Sequence, residues 1–291
     1  MASPIQASSH DLASLVQGTV GLPTLPEVIS RLNAVLERED SSAAEVAKVL
    51  QTDPAVAANM LRMVNSAHYG LICRVSSIPL AVSVLGFATT RRVALKAAVF
   101  TAFADRRDKF PHFDPTGFWR HSVFTGIAAR TIAAASPQFL DLHPEDAYMA
   151  GLLHDIGKIL LIEKCGPRYV AALQRGVAEG IPDFEIERTE FGFTHGEVGS
   201  VLAHKWSLPE DLAEAIRYHH APTRSAAYKS LASLVHLADR LAWIAAMPST
   251  EGTLQPATCS DAYEAVGLPA LLVDELLPAT REAYADAEMP W

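Results

Sequence analysis

The chain is short of cysteine. Cys73, Cys165 and Cys259 are scattered through 291 positions, with no CxxC pair. That excludes a disulfide framework or a cysteine-rich zinc module and suits a reducing compartment. Positive charge is also in deficit, with 24 Lys and Arg against 33 Asp and Glu for a net charge of −9. A general nucleic-acid or anionic-membrane binder is therefore not expected, although one small basic pocket is compatible with the balance. Strand signals are nearly missing, because there are no Asn-Gly or Asp-Gly turns and no sustained period-two alternation. Between Met1 and Gln17 no basic segment is followed by an apolar core, so no signal peptide is expected. No apolar run reads as long enough to span a bilayer. The expectation is a soluble, cytoplasmic, all-α protein, and a hydrophobic content of 49% is ample for a core.

Helical signals fill the chain instead. Residues 1–20 read as a Ser- and Ala-rich leader. A first lobe spans about residues 21–113 with about five helices. Leu22-Pro23-Thr24-Leu25-Pro26 is an extended entry before the helix-periodic run Val28, Ile29, Leu32, Val35 and Leu36. Ser42-Ala43-Ala44-Glu45 is a capping box, and Asp53-Pro54 is an N-cap followed by proline at the first helical position. A short helix from Ile78 to Leu85 is expected to end at Gly86, with Thr89 capping a long helix through Phe103. The polar cluster Asn65, Ser66, His68 and Tyr69 is expected to make structural hydrogen bonds at a turn, and Arg91, Arg92, Lys96, Arg106 and Arg107 a solvated basic face. A second lobe, residues 114–248, opens with Asp114-Pro115 and continues through a Pro144–Gly157 helix. Helices at Gly166–Val177, Pro182–Glu190, a capping box at Thr194 to Glu197, a helix ending in Tyr218-His219-His220, and Ala226–Ile244 follow. Residues 249–291 form a linker and a C-terminal helical tail, with one amphipathic helix expected from Pro269 to Tyr284. That tail would fold back on the second lobe or serve as a homodimer contact.

The chemistry concentrates at Gly151-Leu152-Leu153-His154-Asp155-Ile156-Gly157-Lys158. A buried helix seldom carries adjacent His and Asp, since both need partners. Successive helical side chains diverge by about 100°, so the pair is no simple i,i+4 metal clip, but the carboxylate is free to bridge two ions. A satisfied His beside a capping Asp accounts for the dipeptide equally well. Across the lobe, His121, His154, Asp155, His195, His219, His220 and Asp239 occupy different helices apart from the two adjacent pairs, several at helix ends. Neutral imidazoles with carboxylates suit a divalent transition metal such as iron, manganese, zinc or nickel, as one ion or two. Convergence of these side chains is the spatial requirement of this reading.

The order His, His-Asp, His, His-His, Asp resembles the metal-binding constellation of the HD phosphohydrolase superfamily, and His154 to Lys158 resembles the HDIGK core of its HD-GYP branch. The resemblance to a sister branch is closer. Leu22 to Pro26, Asp53-Pro54, Asn65-Ser66-Ala67 with Tyr69-Gly70, Ala81 to Gly86, Phe118-Trp119-Arg120-His121-Ser122 and Gly151 to Gly157 together look like the HDOD domain, an output module of bacterial signalling proteins. The resemblance spans about residues 20–245 and implies two all-helical lobes, the second an HD-like bundle. It also implies His121, His154, Asp155, His195, His219, His220 and Asp239 as metal ligands, and Asp155 and Lys158 as the catalytic pair of an active member, with Lys158 facing substrate phosphate. Two positions depart from the HD-GYP pattern: Ala221-Pro222-Thr223-Arg224 stands where the GYP segment would follow the His pair, and Gly117 stands where some members place a glutamate. The implied function is signal transduction through a metal-bearing module that senses a nucleotide-like ligand or binds a signalling partner. A metal-dependent phosphohydrolase acting on a nucleotide or phosphate ester is the alternative.

Overall fold

The structure, a computed structural model, describes residues 27–38, 40–66, 69, 71, 74–104, 114–247 and 254–287. The leader, Leu22 to Pro26, Ala67, His68, Gly70, Cys73, Arg106 and Arg107 lie outside the described residues. All regular structure among the described residues is helical, as the missing strand signals predict. The chain divides into two compact units, one holding the helices between residues 27 and 104 and the other those between residues 115 and 285.

The first unit contains α1 (Glu27–Leu36), α2 (Ala43–Leu50), α3 (Pro54–Val64) and α4 (Ile78–Ala104). Its entries are chemically specified. Ser42 and Glu45 exchange the reciprocal bonds of a capping box, and the Asp53 carboxylate accepts the Ala55 and Val56 N–H groups at 3.0 Å. The apolar stripe of each helix (Leu32, Leu50, Val56 and Met60 among them) is buried against α4 and its neighbours. Asn65 bridges the end of α3 to Val75 through two bonds of 2.8 Å, the structural turn role expected of it.

α4 breaks at Gly86, whose φ of 72° and ψ of 172° only glycine adopts without strain. The break falls where expected, but helix resumes at once, so Thr89 lies inside it rather than capping it. By length and composition Ile78–Thr101 is long and apolar enough to cross a membrane, with a mean hydropathy of 1.3, which corrects the expectation that no run qualifies. Gly86 interrupts its helical rise.

The second unit contains α5 (Pro115–Ala135), a 3₁₀ turn (Pro137–Phe139), α6 (Pro144–Leu153), α7 (Ile156–Glu179), α8 (Asp183–Phe191), α9 (His195–Lys205), α10 (Glu210–Tyr218), a second 3₁₀ turn (Pro222–Arg224), α11 (Lys229–Ile244), α12 (Asp261–Val266), α13 (Ala270–Glu275) and α14 (Leu277–Ala285). α5 lies against α6 and α11, and α9 lies against α7 and α10. The Pro144–Gly157 helix expected from the sequence is two helices: α6 stops at Leu153, α7 starts at Ile156, and His154-Asp155 forms the joint. The His154 side chain causes part of this, since its Nδ1 bonds the Gly151 carbonyl at 2.7 Å and occupies an acceptor at the helix end. α7 then runs through Gly166 (φ 46°), where Pro167 has no N–H to continue the ladder.

The helix expected from Pro269 to Tyr284 is likewise two helices, α13 and α14, because Pro278 removes a donor next to the break at Leu276. Leu271 is 70% exposed, so the expected amphipathic face is not buried as a stripe. The tail is nevertheless tied to its own unit, by an Arg240–Asp274 ion pair and a Phe124–Tyr284 ring contact at 5.3 Å.

α7 and α9 approach closely at Gly157, where an added Cβ would lie 2.0 Å from the His195 carbonyl oxygen and 2.8 Å from the Gly199 nitrogen. Backbone atoms cannot yield as a flexible side chain can. Gly157→Ala should therefore destabilise the protein by about 3 kcal/mol or more, at the upper end of overpacking costs. Urea unfolding measures this, and a loss below about 1 kcal/mol would contradict the contact.

Candidate metal centre

All seven candidate ligands converge. One ligand atom from each of Asp155, His195, His219 and His220 lies within 4.8 Å of the others, and His121, His154 and Asp239 form an equivalent group. Asp155 stands between the two. Its Oδ1 is 3.1 Å from His195 Nε2 and 3.8 Å from His219 Nε2, while its Oδ2 is 3.6 Å from His154 Nε2 and 3.8 Å from His121 Nε2. Asp239 Oδ1 is 3.2 Å from His121 Nε2.

Local structure aims these rings. His154 and His219 each follow the last residue of a helix, and each Nδ1 is 2.7 Å from the carbonyl three residues earlier, at Gly151 and Ile216. Helix C-termini leave such carbonyls without intrahelical donors. His121 Nδ1 lies 2.6 Å from the Met247 carbonyl, just past α11. A carbonyl only accepts, so each of these rings donates from Nδ1 and turns Nε2 to the cavity; burial lowers His154 and His219 and leaves their Nε2 bare, whereas on His121 burial is outweighed by Asp239, which raises it. His195, the first residue of α9 behind the Thr194–Glu197 capping box, is held at both its N–H (2.7 Å) and its Nδ1 (2.8 Å) by Glu187 Oε2.

The facing Nε2 atoms are 3.1 Å apart between His121 and His154, 3.2 Å between His195 and His219, and 3.0 Å between His195 and His220. With its raised basicity His195 carries a proton that Nε2 can share with His219 or His220, and a divalent cation bound between facing Nε2 atoms would take that proton's place. Two donors each about 2.0–2.1 Å from one ion lie roughly 3.0–3.4 Å apart in tetrahedral or octahedral geometry. The buried Asp155 Oδ1 makes no hydrogen bond among the described residues. The donor set thus fits divalent cations, with imidazole Nε2 and carboxylate oxygen as ligand atoms.

Charge is balanced closely around the set. Burial alone would raise the Asp155 carboxyl, but Lys158 and His154 outweigh it and hold it well below the usual range. Asp239 likewise falls to about 2, with His121 and His154 overcoming burial. Burial lowers His195, yet the carboxylates of Glu187 and Asp155 raise it to about 10. Burial first and neighbouring imidazoles second keep His219 and His220 neutral.

Three supporting residues lay outside the candidate set read from the sequence. Glu187 positions His195, and it also accepts the Tyr169 hydroxyl at 2.6 Å. Its position in an acidic helix gave the appearance of a solvated face, yet it is fully buried. His236 accepts the Cys259 N–H at 2.9 Å on Nε2, so its Nδ1 donates to the His219 carbonyl at 2.7 Å. Asp183 pairs with Lys158.

Lys158 departs from its expected role. It does not face an open phosphate site: it is 2% exposed, and its ammonium sits between Asp183 and Asp155, 2.9 Å from Asp155 Oδ2. Removing one partner of a buried ion pair leaves uncompensated charge and costs about 3–5 kcal/mol. Lys158→Met should lower the unfolding free energy by roughly that amount. A near-wild-type denaturation midpoint would restore a substrate-facing role.

Residues 22–222 match the HDOD domain family. An HDOD domain protein of unknown function from Geobacter sulfurreducens superposes with a TM-score of 0.74 at 25% identity, over 96% of this chain and 97% of that one. A protein from Shewanella amazonensis described as a candidate phosphohydrolase has a TM-score of 0.70 at 26% identity, over 94% of this chain and 96% of that one. An uncharacterized protein of Treponema pallidum (strain Nichols) is 25% identical over 237 residues, 81% of this chain, and the chain spans 45% of that relative's length. With motif order, helical architecture and more than half its length in agreement, the chain belongs to the HDOD domain family.

Proposed function

We propose that this HDOD protein is a regulatory module of bacterial signal transduction, working in the cytoplasm, whose HD-type cavity holds two divalent transition-metal ions. Its output is the sensing of a ligand or the binding of a signalling partner. The observation that carries this reading is the arrangement of donors. His121, His154 and Asp239 gather on one side of Asp155, and His195, His219 and His220 on the other. With Asp155 shared, each ion would have four protein donors, a complete tetrahedral shell of the kind found in structural sites.

Burial supports sensing over turnover. Six of the seven donors are no more than 5% exposed, and the Lys158 charge is neutralised internally. The second reading, a phosphohydrolase, has one specific observation in its favour: Asp155 offers one oxygen to each set, as a bridging carboxylate would. Ions held there would polarise a phosphoryl oxygen and acidify bound water. Six-coordinate ions such as iron or manganese would leave positions open on four donors, whereas tetrahedral zinc would not.

Elemental analysis of purified protein should find about two ions per chain, as a two-metal site requires. Asp155→Ala should lose both, and His121→Ala and His195→Ala one each. Glu187→Gln should weaken chelator-competed metal binding by about 10–100-fold, the usual cost of losing a partner of a ligating His. Bis-p-nitrophenyl phosphate and a nucleotide panel should show no turnover. Metal-dependent turnover abolished in Asp155→Ala would replace the sensing reading with the enzymatic one, and metal-free protein would end both.

A further inference from the structure

Beside the candidate metal centre, α8, α10 and the Pro222–Arg224 turn enclose a cavity of about 340 Å³. Its walls include Phe184, Arg188, Arg217, Tyr218, His220 and Arg224. This volume is at the small end of ligand pockets, which run from about 300 to 1,000 Å³. Three guanidinium groups on one small cavity stand out in a chain whose net charge is −9.

The three arginines are not equivalent. Arg188 is committed to Glu197 at 2.9 Å. Arg217 and Arg224 have no carboxylate partner among the described residues. Their guanidinium carbons lie 5.3 and 5.9 Å from the centroid of the same ring, Tyr218. Tyr218 thus holds both guanidinium groups on the cavity wall with no carboxylate among the described residues to neutralise them. Guanidinium forks match phosphate oxygens bidentately and are the usual means of holding them. Phe184, which lines the same cavity, is stacked on His220, with centroids 4.5 Å apart and planes at 17°. This is an apolar, planar wall of the kind on which a heterocyclic ring is held. The acids of the cavity, Glu185 and Glu197, do not cancel the charge, because Glu197 is already used by Arg188 and the Thr194 N–H.

We propose that this cavity binds a phosphate-bearing ligand of mononucleotide size, its phosphate on Arg217 and Arg224 and its ring toward Phe184 and His220. His220 makes the site consequential. It is the one residue of the seven-donor set that is not fully buried, and it lines the cavity while its Nε2 faces His195 Nε2 at 3.0 Å. Binding here would be felt by a donor of the metal cluster, and in that respect the proposal rests on the sensing reading. A cavity this small does not suit a dinucleotide.

Isothermal titration calorimetry on the full chain tests the site with AMP, GMP, CMP and UMP, with adenosine and guanosine, and with inorganic phosphate. At least one nucleoside monophosphate should bind. Arg217→Gln and Arg224→Gln should each weaken that binding by tenfold or more, the corresponding nucleoside should bind at least tenfold more weakly, and circular dichroism should show both variants folded. No binding by any monophosphate overturns the proposal. So does binding that both arginine variants retain, or inorganic phosphate that binds as tightly as the nucleotide. Metal content of the same wild-type preparation separates the two readings. Nucleotide binding without metal leaves this site standing and removes the metal centre, and metal without nucleotide binding does the reverse.

Discussion

The second unit depends on how its imidazoles are oriented. A histidine in a core is ordinarily satisfied at both nitrogens. Here His121, His154 and His219 use Nδ1 on backbone carbonyls that helix ends leave available, and all three turn Nε2 toward Asp155. Each bond fixes a tautomer and a ring plane together. The result is a concentration of imidazole nitrogens around Asp155, at the joint where α6 and α7 meet. Had α6 continued unbroken, His154 and Asp155 would project about 100° apart.

Around this cluster lies a buried network of paired charged and polar groups. Lys158, Asp183, Glu187 and Tyr169 join α7 to α8 and to the start of α9 through charge-assisted bonds. Charges removed from water are expensive, and such groups endure where each has its partner. The network therefore brings rigidity to the His195 side of the cluster more than it brings net stability. Close contact at Gly157 serves the same end, because α9 can present His195 to Asp155 only if the two backbones nearly touch.

Much of this was legible in the sequence because it is local. Asp114-Pro115, Asp53-Pro54 and the boxes at Ser42 and Thr194 cap the helices they were expected to cap, since capping needs only residues within one turn. The motif order of the HDOD domain located the seven donors, and the structure brings every one of them together. What was not legible depends on residues distant in the chain. Glu187 resembles any acid on a surface helix until His195 is folded against it, and Lys158 resembles a phosphate ligand until Asp183 reaches it. The joint at His154 follows from a side chain competing for a backbone acceptor, which hydrophobic periodicity does not register. The break at Leu276 was within reach, since Pro278 announces it.

His236 links the C-terminal segment to the candidate metal centre. Its ring passes a hydrogen bond from the Cys259 amide on one side to the His219 carbonyl on the other. The strap beyond α11 is thereby a splint for a residue whose own side chain reaches the cavity. A displacement of the Cys259 backbone would therefore reach the backbone of His219 through a single imidazole.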